Sequence, residues 1–480
     1  MRNKWFFQFI ITALSFKTTS IILVILRKTI IFAHSDAGST ASGVSFYRSY
    51  KIIFVGGNQM RQRSFFDFRL NFRYAKIRFI LLICNILHVQ YIKKKHAFCR
   101  RGSIMKHLKE FVKSVPDYRR TDKGNYKYKL EDILLLVILG RLGKCITRPD
   151  IIRFGERNLK RFRSLGILLD GVPSEPTLCR IFKHIDDEAM SERMSEFTST
   201  FHDELVGCAG DILCIDGKAM RGTVLENGRN PDIVSAYSLE GGFTLATDMC
   251  EEKSNEITSV PKLLDKVDVS GCIVTADAMS FQKAIIDKIR EKGGDFLIEL
   301  KANQRTLRYG VEDNVELAEP VDVYSEGPFL EHGRIETRVC RIFRGNDLIT
   351  DRKKWNGNLT VVEIRTATER KSDGQKSSER RFYVSSFHGS ARRLSTIARM
   401  HWAIESMHWD LDRNLRQDFI RRNSARSARN LDTIQRMVLA ILSIWKGKRK
   451  KLSDKAKGTA ELIRELSLDF TAMIHMLDQK

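Results

Sequence analysis

From residue 105 onward the hydrophobic and polar positions fall into three successive patterns. Residues 105–205 carry helical spacing. The stretch YKLEDILLLVILGRLGK predicts a helix with an apolar face, stopped at a glycine. GVPSEPTLCRIFKHID predicts a short helix capped by Ser174 or Thr177, with Arg180 and Lys183 on its outer face. A turn leading into a short basic helix reads as a helix-turn-helix or as a plain surface helix, and both stay open here. From residue 206 the pattern changes. DILCIDGKAM is a short apolar run that ends in Asp216. IVSAYSLEGGFTLATDMC predicts a hairpin turning at Gly241-Gly242. NEITSVPKLLDKV predicts a helix with Pro261 near its start. GCIVTADAMS, FQKAIIDKIREKG and DFLIELKANQ predict strand, helix and strand. A hairpin followed by alternating strand and helix is an α/β layer rather than a bundle.

Residues 303–380 alternate in period two and are rich in β-branched and aromatic residues, which predicts an inserted β region. ARRLSTIARMHWAIESMHWDLDRNLRQ then predicts one long helix, and SARNLDTIQRMVLAILSIW a second, apolar enough to pack on the sheet. The basic run KGKRKKLSDKAKG, residues 446–458, reads as a solvated linker or weak DNA contact and leads into a basic tail over 451–480 that ends in a short helix.

Charge alters the picture of residues 1–104 more than that of the rest. The chain of 480 residues carries +24. The first 104 residues hold 18 Lys and Arg against two acids, Asp36 and Asp67, so +16 of that total lies there. They contain no Glu and no Pro. Their apolar runs are interrupted by Lys17 and by Arg27-Lys28, short of the ~18 residues a spanning helix requires. The expectation is a translated upstream or disordered extension, with Met105 as the natural start; a membrane segment is the competing reading. The nine cysteines are scattered without any CxxC pair, which fits a reducing cytoplasm and argues against a zinc site.

Candidate chemistry rests on acids. Asp216 and Asp277 each end an apolar strand and precede a small residue. In an open α/β sheet such positions converge on the ligand crevice. Two close carboxylates resist joint ionisation, and a divalent cation removes the conflict. Hard oxygen ligands select Mg²⁺, or Mn²⁺ in its place, and two such ions suit phosphoryl transfer. A third carboxylate is then needed. Glu299 is one candidate and Glu405 another. At ~100° per residue Glu405, Asp412 and Arg416 share one polar stripe, flanked by Trp402, Trp409, His401 and His408. That stripe fits a catalytic acid and a salt-bridged surface equally. Asp410 points the other way and is expected in solvent.

The segments IDGKAMRGT, VSAYS, EKSNEITSVPKLL, TADAMSFQKAI, ELKANQRTL, HGRIETR, FYVSSF and RMHWAIESMHWDLD run in order between about 205 and 445. Together they resemble the DDE transposases of bacterial insertion sequences, in the group with a helical DDE-transposase-associated domain in front. The resemblance over 105–200 rests mainly on GVPSEPTLCRIF. It implies a ribonuclease H-like core over 206–302 and 381–450, interrupted by the β-rich insertion over 303–380 and preceded by the helical domain over 105–205. It makes Asp216, Asp277 and Glu405 the catalytic acids and metal ligands, and leaves Glu299 without a catalytic part. It implies Mg²⁺-dependent cleavage at transposon ends and strand transfer into target DNA by a cytoplasmic protein that oligomerises on DNA and has no stable membrane partner. Lys218, Arg221, Lys301, Arg416, Arg421 and Arg422 become candidates for holding DNA phosphates. Ser280, Phe281, Ala302 and Ser406 depart from the group's usual residues. A protein that binds transposon ends without cutting, and a stand-alone nuclease of the same fold, are the alternatives.

Overall fold

The computed structural model describes residues 102–480, apart from 123, 125, 251–255, 332, 350–354, 356–357 and 480. The expectations for residues 1–101 lie outside the described residues. Among the described residues six helices come first: α1 (Ile104–Ser114), α2 (Leu130–Leu142), α3 (Arg148–Arg157), α4 (Leu159–Ser164), α5 (Glu175–His184) and α6 (Asp187–Leu205). Helix α2 is buried at every position except Glu131. Its apolar run covers the whole circumference because other helices surround it, so the single apolar face expected from sequence becomes a central pillar. Two polar groups inside it find partners in the surrounding helical region. The Asp132 carboxylate accepts from the Leu168 amide at 3.0 Å, and Arg141 donates to the carbonyls of Cys145 and Ile146. Ser174 stands at the N-cap of α5, where its hydroxyl meets that of Thr177 at 3.1 Å, and Arg180 and Lys183 are exposed.

The sheet begins with a meander, β1 (Ile212–Ala219), β2 (Asp232–Ser238) and β3 (Phe243–Met249). Helix α7 (Glu256–Asp265) leads to β4 (Ile273–Ala276), and α8 (Lys283–Glu291) leads to β5 (Asp295–Leu300). Pro261 lies inside α7 rather than near its start. The order is β3-β2-β1-β4-β5, with β1, β4 and β5 parallel and the meander antiparallel. This is the ribonuclease H-like arrangement expected. Strand β4 is buried at all four positions, as is the first half of β1, because packing covers both faces.

The insertion opens with α9 (Arg305–Asn314) and continues as β6 (Asp322–Glu331), β7 (Arg334–Arg344), the short turn α10 (Gly345–Leu348), β8 (Thr360–Arg370) and β9 (Lys376–Ser385). It is not a separate layer. Strand β9 pairs antiparallel with β5, so the insertion extends the core into one nine-stranded sheet ending in β9-β8-β7-β6. A boundary at residue 380 therefore falls inside β9.

The long helix expected after the insertion is two helices, α11 (Ala391–Met400) and α12 (Ala403–Arg413), broken at His401-Trp402. The break has visible anchors. The His401 ring meets the Thr275 hydroxyl of β4 at 3.0 Å, and the Cys214 thiol of β1 reaches the Met400 carbonyl. Helix α13 (Ala425–Lys448) follows, buried along most of its length. The tail forms three helices, α14 (Leu452–Ala456), α15 (Thr459–Leu468) and α16 (Phe470–Asp478), where sequence suggested one.

Candidate active site

The parallel pairing of β1 with β4 ends at Ile215 opposite Ala276. The next residue on each strand is an acid, so Asp216 and Asp277 occupy adjacent positions at one end of the parallel region. Asp277 terminates its strand, but Asp216 does not: β1 runs on to Ala219 because β2 still pairs with it, Ser235 opposite Asp216. The Asp277 carboxylate caps the turn after β4, accepting from the Ala278 amide at 2.6 Å. The Lys301 ammonium lies 3.4 Å from Asp277 and 3.0 Å from Glu299. Glu299 thus faces the same cation as Asp277.

Helix α12 crosses above β1. His408 comes within 3.6 Å of the Asp216 carboxylate, and one turn further Asp412 pairs with Lys218 at 2.9 Å. Glu405 lies one turn before His408 on the same side, in the first turn of α12, and is exposed. Burial, with Arg436 and Lys218 nearby, pushes His408 down to about 3. It therefore faces Asp216 as a neutral ring rather than as a salt-bridging cation. His401 is likewise held below its usual value, first by burial and also by Lys301, while Asp277 opposes them.

Two cavities meet at Trp402. A cleft of about 40 Å³ contains Asp277, Glu299, Tyr383 and His401. An open groove of about 750 Å³ contains Glu405, Trp409, Lys446, Lys455 and Lys457. Trp402 lines both. Asp216, Asp277 and Glu405 do not bring their carboxylate oxygens within 4.8 Å of one another as a set; among the described residues only His202, Asp203 and Cys208 form such a group.

Several expectations for the third-acid helix change. Asp410 is half-buried, accepting from Asn414 and, at 2.9 Å, from Thr459 of the tail; burial raises its carboxyl. Asp412 balances Lys218 and not Arg416. Arg416 instead adopts a left-handed conformation and lays its guanidinium over Phe419. Trp402 and Trp409 are 54% and 56% exposed, so they do not fix α12 against the sheet. That work falls to Ile404, Met407 and Leu411, which are buried.

The six basic candidates separate as well. Arg221, Lys301, Arg416 and Arg421 are exposed. Lys218 is buried, its ammonium between Asp412 and Asp418. Arg422 is half-buried, its backbone amide donating to Gly222, and burial pushes its guanidinium down to about 10. Lys218 is thus engaged within the protein, and Arg422 is partly covered by it. The missed partner is Asp418, which accepts from Lys218 and from the Arg221 amide at 3.1 Å. The loop after β1 docks there so closely that a Cβ on Gly222 would meet the Ile420 carbonyl oxygen at 2.7 Å. No sequence spacing signals a contact between residues 222 and 420.

The sheet order defines a ribonuclease H-like fold, and comparison with known proteins narrows that class. The family described as Transposase DDE domain matches residues 208–442, and the DDE_Tnp_1-associated family matches residues 109–198. "Putative transposase YncI" of Escherichia coli O157:H7 is 32% identical over 367 residues, covering 74% of this chain and 91% of that protein. "H repeat-associated putative transposase YhhI" of E. coli K12 is 31% identical over 369 residues, covering 73% and 95%. A cryo-EM structure of the piggyBac transposase synaptic complex with hairpin DNA is also similar, at 12% identity and a TM-score of 0.42, over 78% of this chain and 82% of that one. The chain belongs to the DDE transposase family. Among its described residues no helix is long and apolar enough to cross a membrane.

Proposed function

We propose that this protein cleaves DNA at the ends of its own transposable element and joins the freed ends to target DNA. The observation that carries the reading is the β1–β4 register, which sets Asp216 beside Asp277 beneath the helix that bears Glu405. The donor chemistry suits the divalent metal that the family implies, since three carboxylates offer hard oxygens, and Lys301 beside Asp277 would give way to it. Asp216, Asp277 and Glu405 would hold Mg²⁺, as two ions, with Mn²⁺ able to substitute. The metal would supply Lewis acidity for phosphoryl transfer.

The protein's own part is positioning. Attack by water on the phosphodiester at the transposon end leaves a 3′-hydroxyl, and attack by that hydroxyl on a target phosphodiester joins the strands and releases the target 3′-oxygen. Neutral His408 buttresses the Asp216 carboxylate. His401 ties the α11–α12 corner to β4, and so locates Glu405 relative to Asp277. Arg221, Lys301, Arg416 and Arg421 contact DNA phosphates. Two ends have to be held together, so the working form on DNA is a homo-oligomer, and the protein acts in the cytoplasm.

The test is a strand-transfer assay with the full chain, Mg²⁺ or Mn²⁺, and DNA carrying the terminal inverted repeats that flank the gene. Wild-type activity is expected. Asp216→Ala, Asp277→Ala and Glu405→Ala should each abolish joining while end binding persists, and Glu299→Gln should keep joining. An inactive wild type that still binds ends would establish a binding relic, and cutting without joining would establish a nuclease.

A further inference from the structure

Away from the acids, the C-terminal turn of α6 meets the starts of β1 and β4. His202 on α6, Asp203 beside it and Cys208 in the following loop bring one ligand atom each within 4.8 Å of one another. Ligand atoms bound at ~2.0–2.3 Å around a tetrahedral ion lie roughly 3.5 Å apart, so small side-chain adjustments close the site. His202 is oriented for such a role. Its Nε2 lies 2.8 Å from the Asp211 carboxylate, and both side chains are almost wholly buried. Asp211 is itself fixed by donors from Ser238 Oγ at 2.7 Å, the Ile212 amide at 2.8 Å and the Glu240 amide at 3.1 Å. A carboxylate behind a histidine is how proteins set the ring of a metal ligand. Beneath Cys208 lies a second thiol: buried Cys272 donates to the Cys208 carbonyl at 3.1 Å and steadies the loop.

We propose that His202, Asp203 and Cys208, with Cys272 beneath them, form a site for a soft divalent transition metal of the zinc class, separate from the hard-ligand acids of the catalytic core. Nitrogen and thiolate donors select such ions over Mg²⁺. The C-terminal end of a 19-residue helix adds a favourable negative potential. A metal here would staple the last helix of the associated domain to the first and fourth strands of the catalytic sheet. Cysteine spacing could not reveal it, because the β1–β4 pairing brings Cys272 to Cys208 across 64 residues.

The test uses the full chain stripped of metal with a chelator and titrated with Co²⁺. A thiolate-to-cobalt charge-transfer band in the near ultraviolet is expected, displaced by Zn²⁺ and untouched by excess Mg²⁺. Cys208→Ser should lose the band, and Asp211→Asn should weaken binding about 10–100-fold. Exposed Cys179→Ser and the catalytic variant Asp216→Ala should retain it. Circular dichroism confirms that each variant is folded. If His202→Asn fails to fold, Cys208→Ser, which alters a half-exposed thiol, still decides. Absence of the band in reduced wild-type protein would overturn the proposal, as would a band that survives Cys208→Ser.

Discussion

Replacing Lys218 by Met asks whether this lysine clamps the fold or holds DNA. Its ammonium sits 2.9 Å from Asp412 and 3.3 Å from Asp418, and its side chain is 8% exposed against 35% and 26% for the two acids. At ~3 Å and an effective dielectric constant of about 20, one such pair attracts by roughly 5–6 kcal/mol before desolvation is charged against it. Breaking fully buried pairs costs about 3–5 kcal/mol, and exposed pairs contribute about 0–1 kcal/mol. With the lysine buried and the acids partly wet, the expected loss is about 2 kcal/mol. The deletion also leaves Asp412 beside Asp418 without a cation. The Asp412 carboxyl is already raised, first by burial, so removing Lys218 pushes it further up. Urea unfolding of the full chain should show a lower midpoint, and Asp412→Asn in the Lys218→Met background should cost less than it does alone. DNA binding should keep its dependence on salt. The clamp is refuted if unfolding is unchanged while the slope of log K against log salt falls by about 0.9, the signature of one lost phosphate contact.

Three other perturbations follow from the same geometry. Glu363 is wholly buried and accepts from Arg341, Arg365 and Arg380; burial raises its carboxyl, the three arginines lower it more, and the net shift is down from 4.5. A depressed folded value means stability that is present above pH 4.5 and lost as pH falls below it, so Glu363→Gln should be less stable at neutral pH and show a flatter acid limb in pH-dependent unfolding. Arg436→Met removes the 2.7 Å partner of Asp432, both side chains having no exposure, and should lower stability by about 3–5 kcal/mol by chemical denaturation. Trp402→Ala and Trp409→Ala should each shift stability by no more than about 0.5 kcal/mol, since both rings face solvent; a loss above 2 kcal/mol would restore them to a packing role.

Local patterning carried much of this structure. The Gly241-Gly242 turn, the period-two runs and the acid-terminated strand at Asp277 all stand where the chain order placed them, and the meander followed by strand–helix–strand is recoverable from residues 206–300 alone. Such features arise from contacts a few residues apart. The helix spanning His401-Trp402 was less legible, because its break answers to Thr275 and Cys214, 126 and 186 residues away. The helical wheel likewise brought Glu405 and Asp412 to one side of α12 but could not say what lay opposite them.

The sequence by itself determined the α/β class, the separate helical region and the succession of strands and helices along the chain. Periodicity and residue type suffice for those, since each is a property of one segment. Only the tertiary structure decided that Asp216 adjoins Asp277, that Lys218 is committed to Asp412 and Asp418, that the insertion prolongs the core sheet, and that His202, Cys208 and Cys272 converge. These depend on strand register and on the docking of loops far apart in the chain. Burial then changes what each charged group can do, and a charge visible in a sequence does not say whether water or another side chain already satisfies it.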